Sequence, residues 1–282
     1  MIHAHSLFTN GYIAMRLAAK YHKPYIVAVR NGDINLFFKK LLFLRPVGRR
    51  VLQKAQKVIF LSESYRKSAL RPYCSQEFAE GIAAKSVVIP NGIDNFWFDN
   101  RPDKHALPEK QKIRALYVGE IVPNKNIIQS ARALEMLRKE GYDVSLFVAG
   151  RIKSASVAKE LRKYDFVTFL GQLDKSGLLT EYRNNDIFLM PSKTEAFGLV
   201  YAEAMSQGMP VIYTRNQGFD EQFPDGTVGY AVNSDDCREI KDRIKDIIER
   251  YEEISDNCLR AVEKFSWDKL FELYKPVYDE MI

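Results

Sequence analysis

Residues 187–205 read IFLMPSKTEAFGLVYAEAM: an apolar run, a short polar turn and a second, mostly apolar segment. We interpret Ile187–Met190 as the end of a buried strand, and we predict a helix that begins near Phe197. A strand that leads directly into a helix is the repeating unit of parallel α/β sheets. The unpaired N–H groups at the start of such a helix favour anions such as phosphate.

Two carboxylates flank the start of this predicted helix. Glu195 lies in the loop before it, and Glu203 lies on the helix two turns further along. Acidic side chains are common near helix N-termini because they complement the helix dipole, so the pair alone does not define a site. Glu203, however, lies between Ala202 and Ala204, which we expect to be buried, and a buried carboxylate needs a polar partner. A phosphate beside a vicinal diol would satisfy both features, and a nucleotide sugar carries both groups.

The same alternation of strands and helices extends over most of the chain. Residues 113–232 hold six predicted strands separated by helical segments, which indicates a parallel sheet. A shorter series fills residues 2–89, and the polar stretch Asn95–Lys110 reads as a linker. We predict two α/β domains of Rossmann type, residues 1–95 and 107–266, the first of which is short for a complete doubly wound domain.

Composition narrows the classes of protein to which the chain can belong. Its three cysteines are far apart and form no CxxC pair, which suggests a reducing compartment and no structural zinc. His3 and His5 share one face of a strand, but no third ligand for a metal follows nearby. No apolar run approaches the roughly 20 residues that span a bilayer, and Met1 begins no signal peptide.

Positive charge is concentrated in the first hundred residues and peaks in residues 37–50, which read FFKKLLFLRPVGRR. Bulky apolar residues mixed with cations suit an anionic membrane surface. An ordinary helix with a buried apolar face and a solvated basic face explains the pattern equally well. Nucleic acid is a weaker candidate because no reading motif accompanies the charge.

Polar residues follow other predicted strands at their carboxyl ends, where ligands collect in doubly wound sheets. Gly119 and Lys125 follow the strand that ends at Val118, and Lys125 could bring a mobile positive charge to a phosphate. A solvated lysine in a first helical turn is the alternative. Arg30 follows the strand that ends at Val29 and could bind a phosphate or an acceptor.

Taken in order, these pieces resemble the retaining GT-B glycosyltransferases of family four, which also supplies the common "glycosyl transferases group 1" domain. The resemblance covers about residues 87–232 and is looser over the first part of the chain. The matching segments are Ile89–Asp94, Tyr117–Gly119 with Pro123 and Lys125, Val148–Gly150, Phe169–Gly171, Pro191 and Ser192 with Glu195 and Phe197–Leu199, Glu203–Met205, Gly208 with Pro210 and Val211, and Gly226 with Gly229.

The resemblance implies a GT-B fold, in which two Rossmann-like domains face a cleft, with the first domain incomplete here and the helix 267–282 packing back on it. It implies transfer of a hexose from a UDP- or GDP-sugar to a saccharide or lipid-linked acceptor, with retention of configuration and without a metal. Lys125 would hold the diphosphate and Glu195 the sugar. Glu203 would hold the ribose. The donor site would also include Gly119 and Phe197–Leu199, with the backbone N–H groups of Gly198 and Leu199 on phosphate, and Arg30 would join the catalytic residues.

Two departures from the family pattern leave alternatives open. Glu120 stands where relatives commonly carry an arginine, and Arg30 stands where they often carry a histidine. The region that usually opens the first domain is also missing, so we expect an N-terminally truncated product. We expect synthesis of a surface polysaccharide or glycolipid in the cytoplasm, at the inner membrane face. The alternatives are a non-catalytic nucleotide-sugar-binding partner subunit and, more weakly, another GT-B enzyme such as an epimerase.

Overall fold

The computed structural model describes residues 1–30, 32–106, 109 and 111–281 of the chain. The described residues divide into two compact units. One runs from Met1 to Gly92 and includes the C-terminal helix from Trp267, and the other runs from Ile93 to Ser266. The predicted boundary at residue 107, residue 282 and Asn31 of the Arg30 motif lie outside the described residues.

The first unit is built on a four-stranded parallel sheet in the order β1-β2-β3-β4. All four residues of β2 are buried, because helices cover both faces of the sheet. On one face, Leu270 and Val277 of the C-terminal helix pack on Ile26 and Ile59. The elements are β1 Ile2–Ala4, α1 Thr9–Tyr21, β2 Tyr25–Ala28, α2 Arg45–Lys54, β3 Lys57–Phe60, α3 Glu63–Ser68, α4 Gln76–Ala84, β4 Ser86–Val88 and, at the end of the chain, α12 Trp267–Asp279.

Between β2 and α2 the chain forms two short irregular helices, a π-helix over Asp33–Phe38 and a 3-10 helix over Leu42–Leu44. Phe38, Val51 and Leu52 are fully buried here. The basic stretch 37–50 thus contains the start of a helix with a buried face, as one of the two interpretations expects. That interpretation does not account for Leu42 and Phe43, which are exposed.

The second unit holds a six-stranded parallel sheet in the order β10-β9-β8-β5-β6-β7. The chain runs outward from β5 in one direction through β6 and β7, and in the other through β8, β9 and β10. The elements are α5 Asn95–Asp99, β5 Lys112–Val118, α6 Ile127–Lys139, β6 Asp143–Ala149, α7 Ala155–Leu161, β7 Val167–Gly171, α8 Lys175–Asn184, β8 Ile187–Leu189, α9 Leu199–Ser206, β9 Val211–Thr214, β10 Gly229–Val232, α10 Cys237–Glu249 and α11 Tyr251–Ala261.

The predicted linker Asn95–Lys110 is wrong in its first part, which forms helix α5. The Asp94 carboxylate caps this helix by accepting the N–H of Phe96 at 2.9 Å. Trp97 is 1% exposed, and its ring centroid lies 5.5 Å from that of Tyr182. The polar composition of the stretch concealed one large apolar side chain whose burial anchors it to the second unit.

Candidate functional site

The strand order brings two of the predicted site residues together. β5 and β8 are neighbours at the point where the strand order reverses. Ligands bind beyond the carboxyl ends of strands at such switch points. Lys125 follows β5, Glu195 follows β8, and Lys125 Nζ lies 2.5 Å from Glu195 Oε2. Both side chains are mostly buried, at 22% and 13% exposure. The site therefore contains a partly desolvated ion pair that a charged ligand could exchange for its own contacts.

The two loops that carry this pair are tied to each other by hydrogen bonds. The Asn124 side chain donates to the carbonyl oxygen of Thr194 at 2.9 Å and accepts from its hydroxyl at 2.7 Å. Asn126 is in the left-handed conformation with φ of 58°. Its buried side chain donates to the carbonyl oxygens of Pro191, at 3.2 Å, and Ser234, at 2.5 Å. These contacts fix the approach of Lys125 to Glu195.

A third segment, which follows β9, holds the Glu195 backbone. The N–H of Glu195 donates to Gln217 Oε1 at 3.0 Å, and the Gly218 N–H donates to the Glu195 carbonyl at 2.9 Å. A Cβ on Gly218 would lie 1.5 Å from the carbonyl oxygen of Ala196, so only glycine allows this approach. Phe219 anchors the segment, because it is 1% exposed and lies in an aromatic cluster.

Helix α9 begins at Leu199, two residues later than predicted, because Gly198 has a φ of +75° and is not helical. The Phe197 side chain is 2% exposed, and its ring lies 5.4 Å from that of Phe265. Its side chain is therefore part of the core, so a contact of Phe197 with a ligand would have to come from its backbone. Leu199 is 41% exposed at the first turn of the helix.

Glu203 lies one turn further along α9 and is partly buried. Its Oε2 accepts the hydroxyl of the fully buried Tyr182 at 3.2 Å. Burial raises the pKa of the Glu203 carboxyl, while the Tyr182 hydrogen bond and the charge of Lys175 oppose that shift. Lys175 itself pairs with Asp94 at 2.6 Å. Glu203 is thus a carboxylate that lacks full solvation and would gain from further hydrogen-bond donors.

A cavity of about 340 Å³ lies at the carboxyl ends of β5, β6 and β7. Gly119 and Gly150 line it, and both have positive φ. A Cβ on Gly150 would lie 1.9 Å from the carbonyl oxygen of Gly119, so these strand ends meet backbone to backbone. The Glu120 side chain at the rim is 62% exposed and lies 3.9 Å from Lys153 Nζ.

Arg30 lies in the first unit, at the end of β2. Its Nε donates to the His5 carbonyl at 3.1 Å, and its Nη1 donates to Asn91 Oδ1 at 2.8 Å. The buried Asp33 carboxylate accepts the Arg30 N–H at 2.8 Å and the N–H groups of Leu7 and Phe8 before α1. Arg30 is therefore a guanidinium that the surrounding backbone orients at a strand end.

Sequence reasoning missed three residues that position the site: Asn124, Asn126 and Gln217. Asn124 and Asn126 gave a weak signal, because asparagine often marks left-handed or turn positions. Gln217 gave no such signal.

Among the described residues, no group of three or more His, Cys, Asp or Glu side chains could hold a metal ion. No described helix is both long and apolar enough to cross a bilayer.

The family model described as "Glycosyl transferases group 1" matches residues 98–264, more than half of the chain and nearly all of the second unit. The chain belongs to this family. The match spans the carboxyl-edge loops that carry Lys125 and Glu195, and helix α9 with Glu203.

Three curated glycosyltransferases are similar to this chain. An uncharacterized glycosyltransferase of Methanocaldococcus jannaschii is 25% identical over all of the chain and 75% of its own length. The capsular polysaccharide biosynthesis glycosyltransferase CapM of Staphylococcus aureus is 27% identical over 80% of the chain and 63% of its own length. A phosphatidyl-myo-inositol mannosyltransferase of Mycobacterium leprae is 27% identical over 71% of the chain and 55% of its own length. The chain thus spans less than two thirds of the latter two.

Solved structures support the predicted fold class. The sucrose-phosphate synthase of Thermosynechococcus elongatus superposes with a TM-score of 0.75 at 20% identity, over 99% of this chain and 73% of its own. Anabaena HepE in complex with UDP gives a TM-score of 0.75 at 18% identity, over 96% of this chain and 76% of its own. The prediction of an α/β protein with a GT-B-like fold is confirmed, as is the predicted family.

Proposed function

We propose that this group 1 glycosyltransferase moves a hexose from a UDP- or GDP-sugar to a saccharide or lipid-linked acceptor with retention of anomeric configuration. The observation that carries the proposal is the Lys125–Glu195 ion pair at the switch point of the parallel sheet. A diphosphate is the group that would compete for the lysine there, because its negative charge is denser than that of one carboxylate.

Each residue of the site then has a distinct role. Lys125 leaves Glu195 for the donor diphosphate and stabilises the charge that develops on it as the bond to the sugar breaks. The backbone N–H groups of Gly198 and Leu199, which precede and begin α9, add hydrogen bonds to the phosphate. Glu195, released from the lysine, contacts the sugar near its reacting carbon. Glu203 accepts the ribose hydroxyls, which supply the donors that its half-buried carboxylate lacks.

The cavity at the ends of β5, β6 and β7 would take the base of the donor, with Gly119 allowing close approach to the backbone. Glu120 is turned outward toward Lys153, so it does not oppose the diphosphate. Arg30 is proposed to orient the acceptor or the transferred sugar, supported by the two hydrogen bonds that hold its guanidinium. The donor needs no resident cofactor in this scheme.

The names of two relatives, a capsular polysaccharide enzyme and a phosphatidylinositol mannosyltransferase, support a role in surface polysaccharide or glycolipid synthesis. We propose that the chain works at the cytoplasmic face of a membrane and that residues 37–50 contact its anionic lipids. The exposed side chains of Leu42 and Phe43, next to Lys39 and Lys40, support this contact.

The test is a thermal-shift screen of UDP, GDP and ADP followed by turnover of the matching nucleotide sugars. A nucleotide that binds the folded chain raises its melting temperature. Donor hydrolysis and transfer to an acceptor would support the proposal. Binding without turnover would favour the non-catalytic partner subunit, and donor turnover without a glycoside product would favour an epimerase.

A further inference from the structure

The first 62 residues hold eleven lysines and arginines and a single acid, Asp33. That acid does not offset the surface charge, because it is 3% exposed and accepts three backbone N–H groups. Surface cations of this region, Lys39, Lys40, Arg50 and Lys54 among them, form no ion pair within the described residues. The surface around these unpaired cations therefore carries an excess of positive charge.

Large apolar side chains stand exposed among these cations. Leu42 is 58% exposed and Phe43 is 75% exposed on the short 3-10 helix before α2. Lys39 and Lys40 precede them, and both are exposed. A phenylalanine so open to water loses the favourable transfer free energy that burial would supply. We call Leu42 and Phe43 the apolar tip.

Helix α1 carries a second exposed apolar group. Ile13, Leu17 and Tyr21 are 53%, 39% and 57% exposed and follow each other at intervals of four, so they form one stripe along the helix. Arg16 and Lys20 run beside this stripe at the same spacing. The opposite face of α1 is buried through Gly11, Ala14 and Met15. We call Ile13, Leu17 and Tyr21 the α1 stripe.

Aromatic packing ties the segment that precedes α2 to the start of α1. Phe8, next to the start of α1, stacks on Phe37 with ring centroids 4.6 Å apart. Gly48 of α2 lies against the rings of Phe8 and Phe38, where even a Cβ would come within 2.6 Å of Phe8. A groove of about 690 Å³ runs between the two helices, and its walls include Tyr12, Arg16, Leu17 and Lys20 from α1 and Arg50 and Lys54 from α2.

We propose that the apolar tip and the α1 stripe, together with the exposed cations of α1, α2 and the segment before α2, form one surface that docks the chain on an anionic lipid bilayer. The proposal rests on the membrane contact of the proposed function and extends it from residues 37–50 to α1. The cations attract anionic headgroups, and the apolar tip enters the boundary between headgroups and acyl chains. Nucleic acid would engage the cations but would leave the Leu42 and Phe43 side chains in water.

The experiment is co-sedimentation of the full chain with vesicles of phosphatidylcholine alone or with 30% phosphatidylglycerol, at low and high salt. We expect binding only to the anionic vesicles. The double change Lys39→Ala and Lys40→Ala should weaken binding to the anionic vesicles about 25-fold at low salt, because each cation contributes about fivefold. The loss should be smaller at high salt, where the charges are screened. Leu42→Ser with Phe43→Ser should weaken binding about tenfold or more at both salt concentrations. Ile13→Ser with Leu17→Ser tests the α1 stripe and should weaken it several-fold.

Matched changes in the second unit serve as controls. Ile152→Ser removes another exposed apolar side chain, and Lys139→Ala with Lys159→Ala removes two other exposed cations. Neither should alter vesicle binding. Equal binding of wild type to both vesicle types, or to neither, would overturn the proposal, as would α1-stripe variants that bind like wild type. Competition by duplex DNA that is insensitive to the Leu42 and Phe43 changes would favour nucleic acid instead. The nucleotide thermal shift is independent of these outcomes, so failure here leaves the donor site standing.

Discussion

Charged side chains are arranged in opposite ways in the two units. At the switch point of the second unit, Lys125 and Glu195 neutralise each other at 2.5 Å and are largely shielded from water. On the first unit, Lys39, Lys40 and Arg50 stand exposed, and the nearby acid Asp33 is buried among backbone donors. A paired and partly buried cation acts on a ligand that reaches it, whereas unpaired surface cations act at a distance through their summed field. The ion pair at the switch point of the second unit suits the binding of one small anion. The exposed cations of the first unit suit attraction to an extended anionic surface.

The largest expected effect comes from breaking the pair at the switch point. Lys125→Ala should lower kcat/KM for the nucleotide sugar at least 100-fold, because the developing charge on the diphosphate loses its cation. Initial rates of sugar transfer measure this effect. Lys193→Ala, which removes a more exposed lysine 3.8 Å from Asp235, is the matched control and should leave the rate near wild type. An unchanged kcat/KM in Lys125→Ala would place the donor elsewhere.

The second effect concerns the close approach that holds the Glu195 loop. Gly218→Ala should destabilise the chain by about 1–3 kcal/mol and reduce transfer, because its Cβ would lie 1.5 Å from the Ala196 carbonyl oxygen. Gly81→Ala on α4 of the first unit meets nothing within 4 Å. It should stabilise the chain by about 0.5–1 kcal/mol through helix propensity. Urea denaturation measures both, and equal effects of the two changes would contradict the assigned packing.

The individual strands and the family could be predicted from the sequence because their signals are local. Apolar runs placed β5 and β6 to within one residue, and the motifs from Ile89 to Gly229 predicted the family. The contact between Lys125 and Glu195 was not readable, because the two residues are 70 positions apart. It depends on β8 lying beside β5, an arrangement that no local pattern encodes.

The failures have physical reasons as well. Burial of Trp97 outweighed the polar composition of the predicted linker, and one left-handed glycine, Gly198, delayed the start of α9. The sequence does not predict Gln217 as a site residue, because its contribution is a single side-chain hydrogen bond to the backbone of a distant loop. Each of the two interpretations of residues 37–50 holds for part of the stretch, since Phe38 is buried while Phe43 is exposed. Composition alone could not assign the two side chains to different environments.

Glu203 should show opposite effects on binding and on stability. Glu203→Gln should weaken nucleotide binding about tenfold, because the amide is a poorer acceptor for ribose hydroxyls than a carboxylate. Burial raises the pKa of this carboxyl in the folded chain. Its contribution to stability is therefore complete below the unfolded value near 4.5 and is lost as the pH rises through the folded pKa.

Without ligand, Glu203→Gln should therefore be more stable than wild type at pH 8, and the difference should shrink toward pH 5. Urea denaturation across this range measures the stability, and titration with UDP or GDP measures the affinity. Glu181→Gln on α8 of the same unit is the control. A stability difference that grows as the pH falls would contradict the assigned environment of Glu203.

The smallest effect tests whether the loop after β9 positions Glu195 or only packs against it. Gln217→Ala leaves the Glu195 N–H without its acceptor at 3.0 Å and should cost about 1 kcal/mol of stability. If the hydrogen bond orients Glu195 on the sugar, kcat should fall several-fold while the donor KM changes little, because the diphosphate contacts of Lys125 and α9 remain. Gln53→Ala, an exposed glutamine on α2 of the first unit, should change neither value. A rise in KM at constant kcat would instead mean that Gln217 supports donor binding. The donor site would then include the loop after β9 as well as the loop of Glu195.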